Sequence, residues 1–122
     1  MTAHVVYADL DDQNPASTSQ FVHDDVIRGH IGFEGFLVSD DIGMNALSGP
    51  IGERAGNCLK AGSDAVLHCN GDMGEMVLVA DVCAPLTDES LRRFQAGREM
   101  LKPPQRVEFD AVSEELSGLL RS

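Results

Sequence analysis

Residues 35–44 read GFLVSDDIGM, an apolar run that closes on a serine and two adjacent carboxylates, Asp40 and Asp41. A carboxylate at the end of a buried strand can act as a nucleophile, as a general base or as an oxygen ligand to a hard cation. Acidic residues after a strand also cap the next helix or face water, and the pair by itself leaves these roles open. Two carboxylates this close resist ionising together. Keeping Asp40 charged therefore calls for hydrogen bonds from nearby backbone amides.

The four histidines raise a metal reading, because FVHDDVIRGH offers His23, Asp24, Asp25 and His30. On a helix the two histidines are seven positions apart while the aspartates turn away, so a solvated helix face is the expectation and no metal is called for. His4, inside the first predicted strand, either lines the mouth beside Asp40 or is a hydrogen-bonded core histidine. His68, with Cys69 and Asn70, closes the third predicted strand within reach of the same mouth. The three cysteines, Cys58, Cys69 and Cys83, form no C-x-x-C pair, so reduced and mostly buried thiols are expected. Met44, Met73 and Met76 are read as packing residues.

These side chains need a frame to hold them. Residues 2–7 are rich in β-formers, and residues 36–39 and 65–67 are short apolar runs that fit strands buried on both faces. Helical signals lie between them. Pro15 precedes a segment in which Ser17 and Gln20 have capping-box spacing and Gly29 can end the helix. Pro50 suits a first turn, Ile51, Ala55, Cys58 and Leu59 share one face, and Gly62 supplies the stop. Asp72 can cap a third helix with Met73, Met76, Val77 and Ala80 in one stripe. A further helix is expected over residues 87–101, a break at residues 102–105, and a last helix over residues 110–120 with Val112, Leu116, Leu119 and Leu120 inward. The alternation predicts an α/β architecture of parallel strands joined by right-handed crossovers. Residues 1–101 form the expected domain, followed by a proline-containing linker and helix over residues 102–122.

Composition narrows the function. With 122 residues there is room for one domain, and twenty acidic against nine basic residues give a formal charge of −11. That charge repels nucleic-acid phosphates and anionic membrane surfaces. The first dozen residues lack a basic, apolar leader pattern, and no run approaches the roughly 18 apolar residues of a membrane span. A cytoplasmic location is expected.

The stretch VIRGHIGFEGFLVSDDIGM, residues 26–44, resembles the signature around the nucleophile of glycoside hydrolase family 3. Val26, Ile27 and Arg28 match its two aliphatics and basic residue, and Gly35, Phe36, Leu37, Val38, Ser39 and Asp40 match the apolar run ending in Ser-Asp. The double aspartate, with TAHVVYADLDDQNPAS upstream and ERAGNCLKAGSDAVLHCNGD downstream, is similar to the family's bacterial cytoplasmic β-N-acetylglucosaminidases of peptidoglycan recycling. The resemblance runs from Met1 to about Arg93. It implies that Asp40 is the nucleophile of a retaining hydrolysis of β-linked N-acetylglucosamine, through a glycosyl-enzyme that water then releases. Asp41, Ser39, His4 and Met44 are the candidates for supporting it or lining the pocket. No cofactor is implied, and the partner is the glycan. Two positions depart from the pattern: His30, where the signature prefers an acidic, amide or basic chain, and Gly43, where the subgroup commonly has serine.

The resemblance further implies that the chain corresponds to the last three βα units of an eight-stranded barrel, plus extra C-terminal helices. The histidine that acts as general acid in the resembled enzymes, and most of the sugar-binding residues, lie on segments with no match here. The isolated chain is therefore expected to be inactive. The alternative is a non-catalytic barrel remnant that acts by self-association, or by complementation with another chain, through its unpaired sheet edges.

Overall fold

A computed structural model of the chain describes residues 1–104 and 106–121. Gln105, which closes the expected break, and Ser122 lie outside the described residues. The elements follow as a π-helix Val22–His30, β1 Val38–Asp41, α1 Ile51–Ala61, β2 Ala65–Leu67, α2 Met73–Val82, α3 Asp88–Glu99 and α4 Phe109–Leu119. The class is α/β, with β1 and β2 paired in parallel.

Local chemistry sets most of these bounds. Pro50 caps α1 in extended conformation, and Gly62 ends it at a φ of 120°, a left-handed value that a side chain resists. The Asp72 carboxylate accepts from the amide of Glu75 to start α2. The Thr87 hydroxyl does the same for Ser90 at the start of α3. At the first helix, Ser19 rather than Ser17 takes the leading amide: its hydroxyl accepts from Val22 N at 3.2 Å and donates to Asp11 Oδ2 at 2.6 Å. The helix passes Gly29 and ends at His30.

The first expected strand does not form. Thr2 N donates to Val38 O at 3.0 Å beside β1, but the carbonyls of Ala3 and Val5 accept from Ser17 N and Ala16 N. The polar backbone of residues 2–7 is thus spent on the loop before the π-helix, leaving a single bond to β1. β1 also starts two residues later than residues 36–39 suggested, so Asp40 and Asp41 lie inside the strand end rather than beyond it.

A small core forms between the sheet and the helices: Ile42, Leu47, Ala55 and Cys58 are buried, with Ile51, Val66 and Val79 against them. Burial raises the Cys58 thiol to about 11. Cys69 and Cys83 are exposed, unlike the buried thiols expected. On α2 the residue that joins the core is Val79, whereas Met73, Met76 and Val77 face outward. That helix is apolar around most of its circumference, so periodicity could not choose its buried face. Met44 is likewise exposed, and so are Val112, Leu116 and Leu119 on α4 and Leu120 just after it. These methionines and leucines do not pack the core as expected, because two strands and a short α1 offer too little apolar surface to cover them.

Candidate functional site

The pairing of β1 with β2 is irregular at the point that matters. Val38 pairs with Ala65 and Asp41 with Leu67, so β1 spends one more residue than β2 between the same two rungs. Ser39 fills the gap. Its fully buried hydroxyl accepts from Leu67 N at 3.1 Å, standing in for a ladder carbonyl, and donates to the Asp40 carbonyl at 2.7 Å. A bulge of this kind re-aims the side chains that follow it. Here those are Asp40 and Asp41.

The two carboxylates receive different support. Asp40 is half-buried, and its Oδ1 accepts from the amide of Asp41 at 2.9 Å. Asp41 Oδ1 accepts from Gly43 N at 2.9 Å and from Cys69 N at 3.2 Å, which ties the end of β1 to the segment after β2. Asp41 is thus committed to holding the loop, while Asp40 has one amide and remains available for chemistry. A Cβ at Gly43 would press on Asp41 Oδ1 at 3.2 Å, so glycine suits this tight turn. Slight burial, and then the charges of Asp41 and Asp40, hold the Cys69 thiol above its ordinary value.

His4 reaches the site with both ring nitrogens bonded, Nδ1 to Ser17 Oγ at 2.6 Å and Nε2 to the Asp41 carbonyl at 2.9 Å. Met44 contributes backbone: its amide donates to the same Asp41 carbonyl at 3.1 Å. Arg54, which the sequence did not single out, pins the loop after β1 by donating to the carbonyls of Ile42, Met44 and Gly49. His68 turns toward α2 instead, with Nε2 at 2.8 Å from Glu75 Oε2. That bond, and then one from Asn70, hold the Glu75 carboxyl below its usual range. His23 is not on a solvated face: it is fully buried, bonded to Ser19 O and Ser63 Oγ, while Asp24, Asp25 and His30 are exposed. A cleft of about 480 Å³ beside α1, lined by Gly52, Gly56 and Val82 among others, contains none of the candidate residues.

The opposite end of the sheet carries a buried carboxylate that the sequence did not single out. Asp64, just before β2, accepts from Arg28 Nη2 and Arg93 Nη1 at 2.9 Å each, from Ser90 Oγ at 2.6 Å and from Leu37 N at 2.8 Å. Burial alone would raise this carboxyl, but Ser90, Leu37 and Arg93 together hold it below its usual value. Arg28 also donates to the carbonyls of Phe33 and Gly35, so one guanidinium ties the π-helix to the approach of β1. In parallel α/β folds this N-terminal end serves stability, while reactive groups gather at the C-terminal end. Asp64 lies at the N-terminal end of the sheet and Asp40 at the C-terminal end.

Residues 1–96 match the family described as the glycosyl hydrolase family 3 N-terminal domain. A protein named beta-hexosaminidase from Tolumonas auensis is 44% identical over 81 residues, which cover 65% of this chain and 24% of the relative. Among solved structures, a beta-N-acetylhexosaminidase from Beutenbergia cavernae aligns with a TM-score of 0.64 at 30% identity, over 82% of this chain and 33% of its own. NagZ from Neisseria gonorrhoeae, solved with N-trifluoroacetyl-D-glucosamine, aligns with a TM-score of 0.65 at 37% identity, over 78% of this chain and 27% of its own. The chain thus spans about a quarter to a third of the length of these relatives.

Proposed function

The chain belongs to glycosyl hydrolase family 3, and from that membership we propose that it carries the nucleophile half of a β-N-acetylhexosaminidase site, with Asp40 as the nucleophile. The observation that carries the reading is the contrast at the end of β1. Asp40 is half-exposed with a single amide on Oδ1, while its neighbour Asp41 is fixed by two amides. In the retaining mechanism Asp40 attacks the anomeric carbon of a terminal β-linked N-acetylglucosamine, and the glycosidic oxygen leaves with a proton from a general acid. A glycosyl ester forms at Asp40, and water then cleaves it with the same acid residue acting as base. The substrate class we propose is N-acetylglucosaminyl glycans released from peptidoglycan, in the cytoplasm. Among the described residues no helix is long and apolar enough to cross a membrane.

Retaining glycosidases place the acid about 5 to 5.5 Å from the nucleophile. The carboxylate next in sequence, Asp41, has its Oδ1 occupied by two amides, and the resemblance to the family's β-N-acetylglucosaminidases implies a histidine proton donor on a segment with no match in this chain. The βα order from β1 to α2 is read as the C-terminal part of an eight-stranded barrel, with the polypeptide after residue 101 as an appended linker and helix. The isolated chain is accordingly read as inactive. It should turn over aryl β-N-acetylglucosaminides only when residues 1–96 replace the corresponding segment of a full-length relative.

The exposed apolar residues favour a second reading for the chain by itself. Met73, Met76, Val77 and Leu78 on α2 are solvent-facing, and a two-stranded sheet leaves strand edges open. This is the surface through which a barrel remnant would self-associate. Hydrolysis by the chimera that survived Asp40→Asn would remove the catalytic reading, and a monomer at high concentration would remove the associative one.

A further inference from the structure

The Asp41 carbonyl stands between two segments 37 residues apart in the chain, because it accepts from His4 Nε2 at 2.9 Å. A carbonyl oxygen can only accept, so Nε2 must carry the proton. In a neutral imidazole Nδ1 is then a bare acceptor, and the proton in the 2.6 Å contact with Ser17 belongs to the serine hydroxyl. Ser17 is fully buried, so this hydroxyl has little freedom to point elsewhere. With the ring neutral, the Asp41 carbonyl thus sets the His4 tautomer, and the tautomer sets the direction of the Ser17 hydroxyl.

The line ends on the residue that orients Asp40. The Asp41 carbonyl is held by His4 Nε2 and by Met44 N, and its carboxylate by Gly43 N and Cys69 N. With both ends of the residue anchored, its amide N–H is aimed at Asp40 Oδ1 at 2.9 Å.

We propose that His4 is a positioning residue for the candidate nucleophile: as the Nε2–H tautomer, demanded by the Asp41 carbonyl and matched by a hydrogen bond donated from Ser17, it clamps the Asp41 backbone so that the Asp41 amide orients the Asp40 carboxylate. Its catalytic meaning rests on the reading of Asp40 as the nucleophile, but the clamp itself is a property of the folded chain and is measured without turnover. Failure of one is thus distinguishable from failure of the other.

The test is nuclear magnetic resonance on the ¹⁵N-labelled chain. Long-range imidazole correlations should report His4 with a protonated Nε2 and an unprotonated Nδ1, and Ser17→Ala should move the Nδ1 resonance while leaving the Nε2 proton in place. His4→Phe keeps a ring but neither bond. It should speed hydrogen exchange at the Asp41 amide by about fivefold to tenfold, the loss expected from one net hydrogen bond, while amides within α1 exchange as before. His4→Gln, whose amide can still donate to the Asp41 carbonyl, should restore most of that protection. An Nδ1-protonated ring in the unaltered protein would overturn the proposal. So would equal loss of protection across α1 in His4→Phe, or a His4→Gln variant no better than His4→Phe.

Discussion

Replacing Asp64 by asparagine removes one charge from a site built around it, with little change in volume. The carboxylate side chain is 2% exposed and faces two guanidinium groups that are themselves only 18% and 19% exposed. Asparagine would leave both cations without their anion and present an amide donor to groups that already donate. Removing one partner of a buried ion pair typically costs about 3 to 5 kcal/mol, and the hydrogen bonds from Ser90 and Leu37 are part of that same loss rather than additions to it. Small domains have about 5 to 15 kcal/mol in total. Asp64→Asn should therefore lower the urea midpoint sharply with an unchanged slope, or leave the chain unfolded at room temperature. Arg93→Met, which removes one cation and leaves the carboxylate paired with Arg28, should cost less. If Asp64→Asn lost under about 1 kcal/mol, Asp64 would not be the tie between the π-helix, α3 and the sheet that its four donors suggest.

Further expectations concern the rest of the chain. The Asp64 carboxyl is held below its unfolded value, so its contribution is present above about pH 4 and lost as pH falls through the folded value. Urea midpoints measured from pH 6 down to pH 3 should fall, and fall less steeply in Asp64→Asn; a flat profile would contradict this. Ser19→Ala removes the acceptor for Val22 N and should cost about 1 kcal/mol in urea unfolding. The same change removes the strongest of the bonds that hold Asp11 down at about 2, so carbon resonances should report a higher Asp11 midpoint. Charging α2 with Met76→Asp and Val77→Asp should lower the sedimentation mass of any self-associated form. An unchanged mass would place the contact elsewhere.

Local signals in the sequence were enough for elements whose ends are set by neighbours in the chain. Pro50 and Gly62 bound α1, Asp72 and Thr87 start α2 and α3, and the apolar triplet of β2 needs no distant information. Residues 2–7 failed as a strand because their hydrogen-bond partners are decided by where Val38, Ala16 and Ser17 arrive. The buried face of α2 was illegible because an almost wholly apolar helix carries no directional signal. At the site, Asp40 and Asp41 were legible as a pair, and the resemblance ranked Asp40 first, yet the amides of Gly43 and Cys69 that hold Asp41, the second 28 residues away, were not legible. Asp64 and His23 were missed for the same reason. Nothing in GSDAV or FVHDD announces that Arg93 or Ser63 will meet them, and only the fold brings those groups together.

The most direct measurement of the central claim is peptide mass spectrometry on a full-length family relative carrying residues 1–96 of this chain, after reaction with a slow fluorinated N-acetylglucosaminyl fluoride. A covalent hexosaminyl adduct that fragmentation localises to Asp40 is expected, absent in Asp40→Asn and retained in Asp41→Asn at reduced yield. A chimera that hydrolyses N-acetylglucosaminides while giving no adduct at Asp40, or giving one at Asp41, would contradict it.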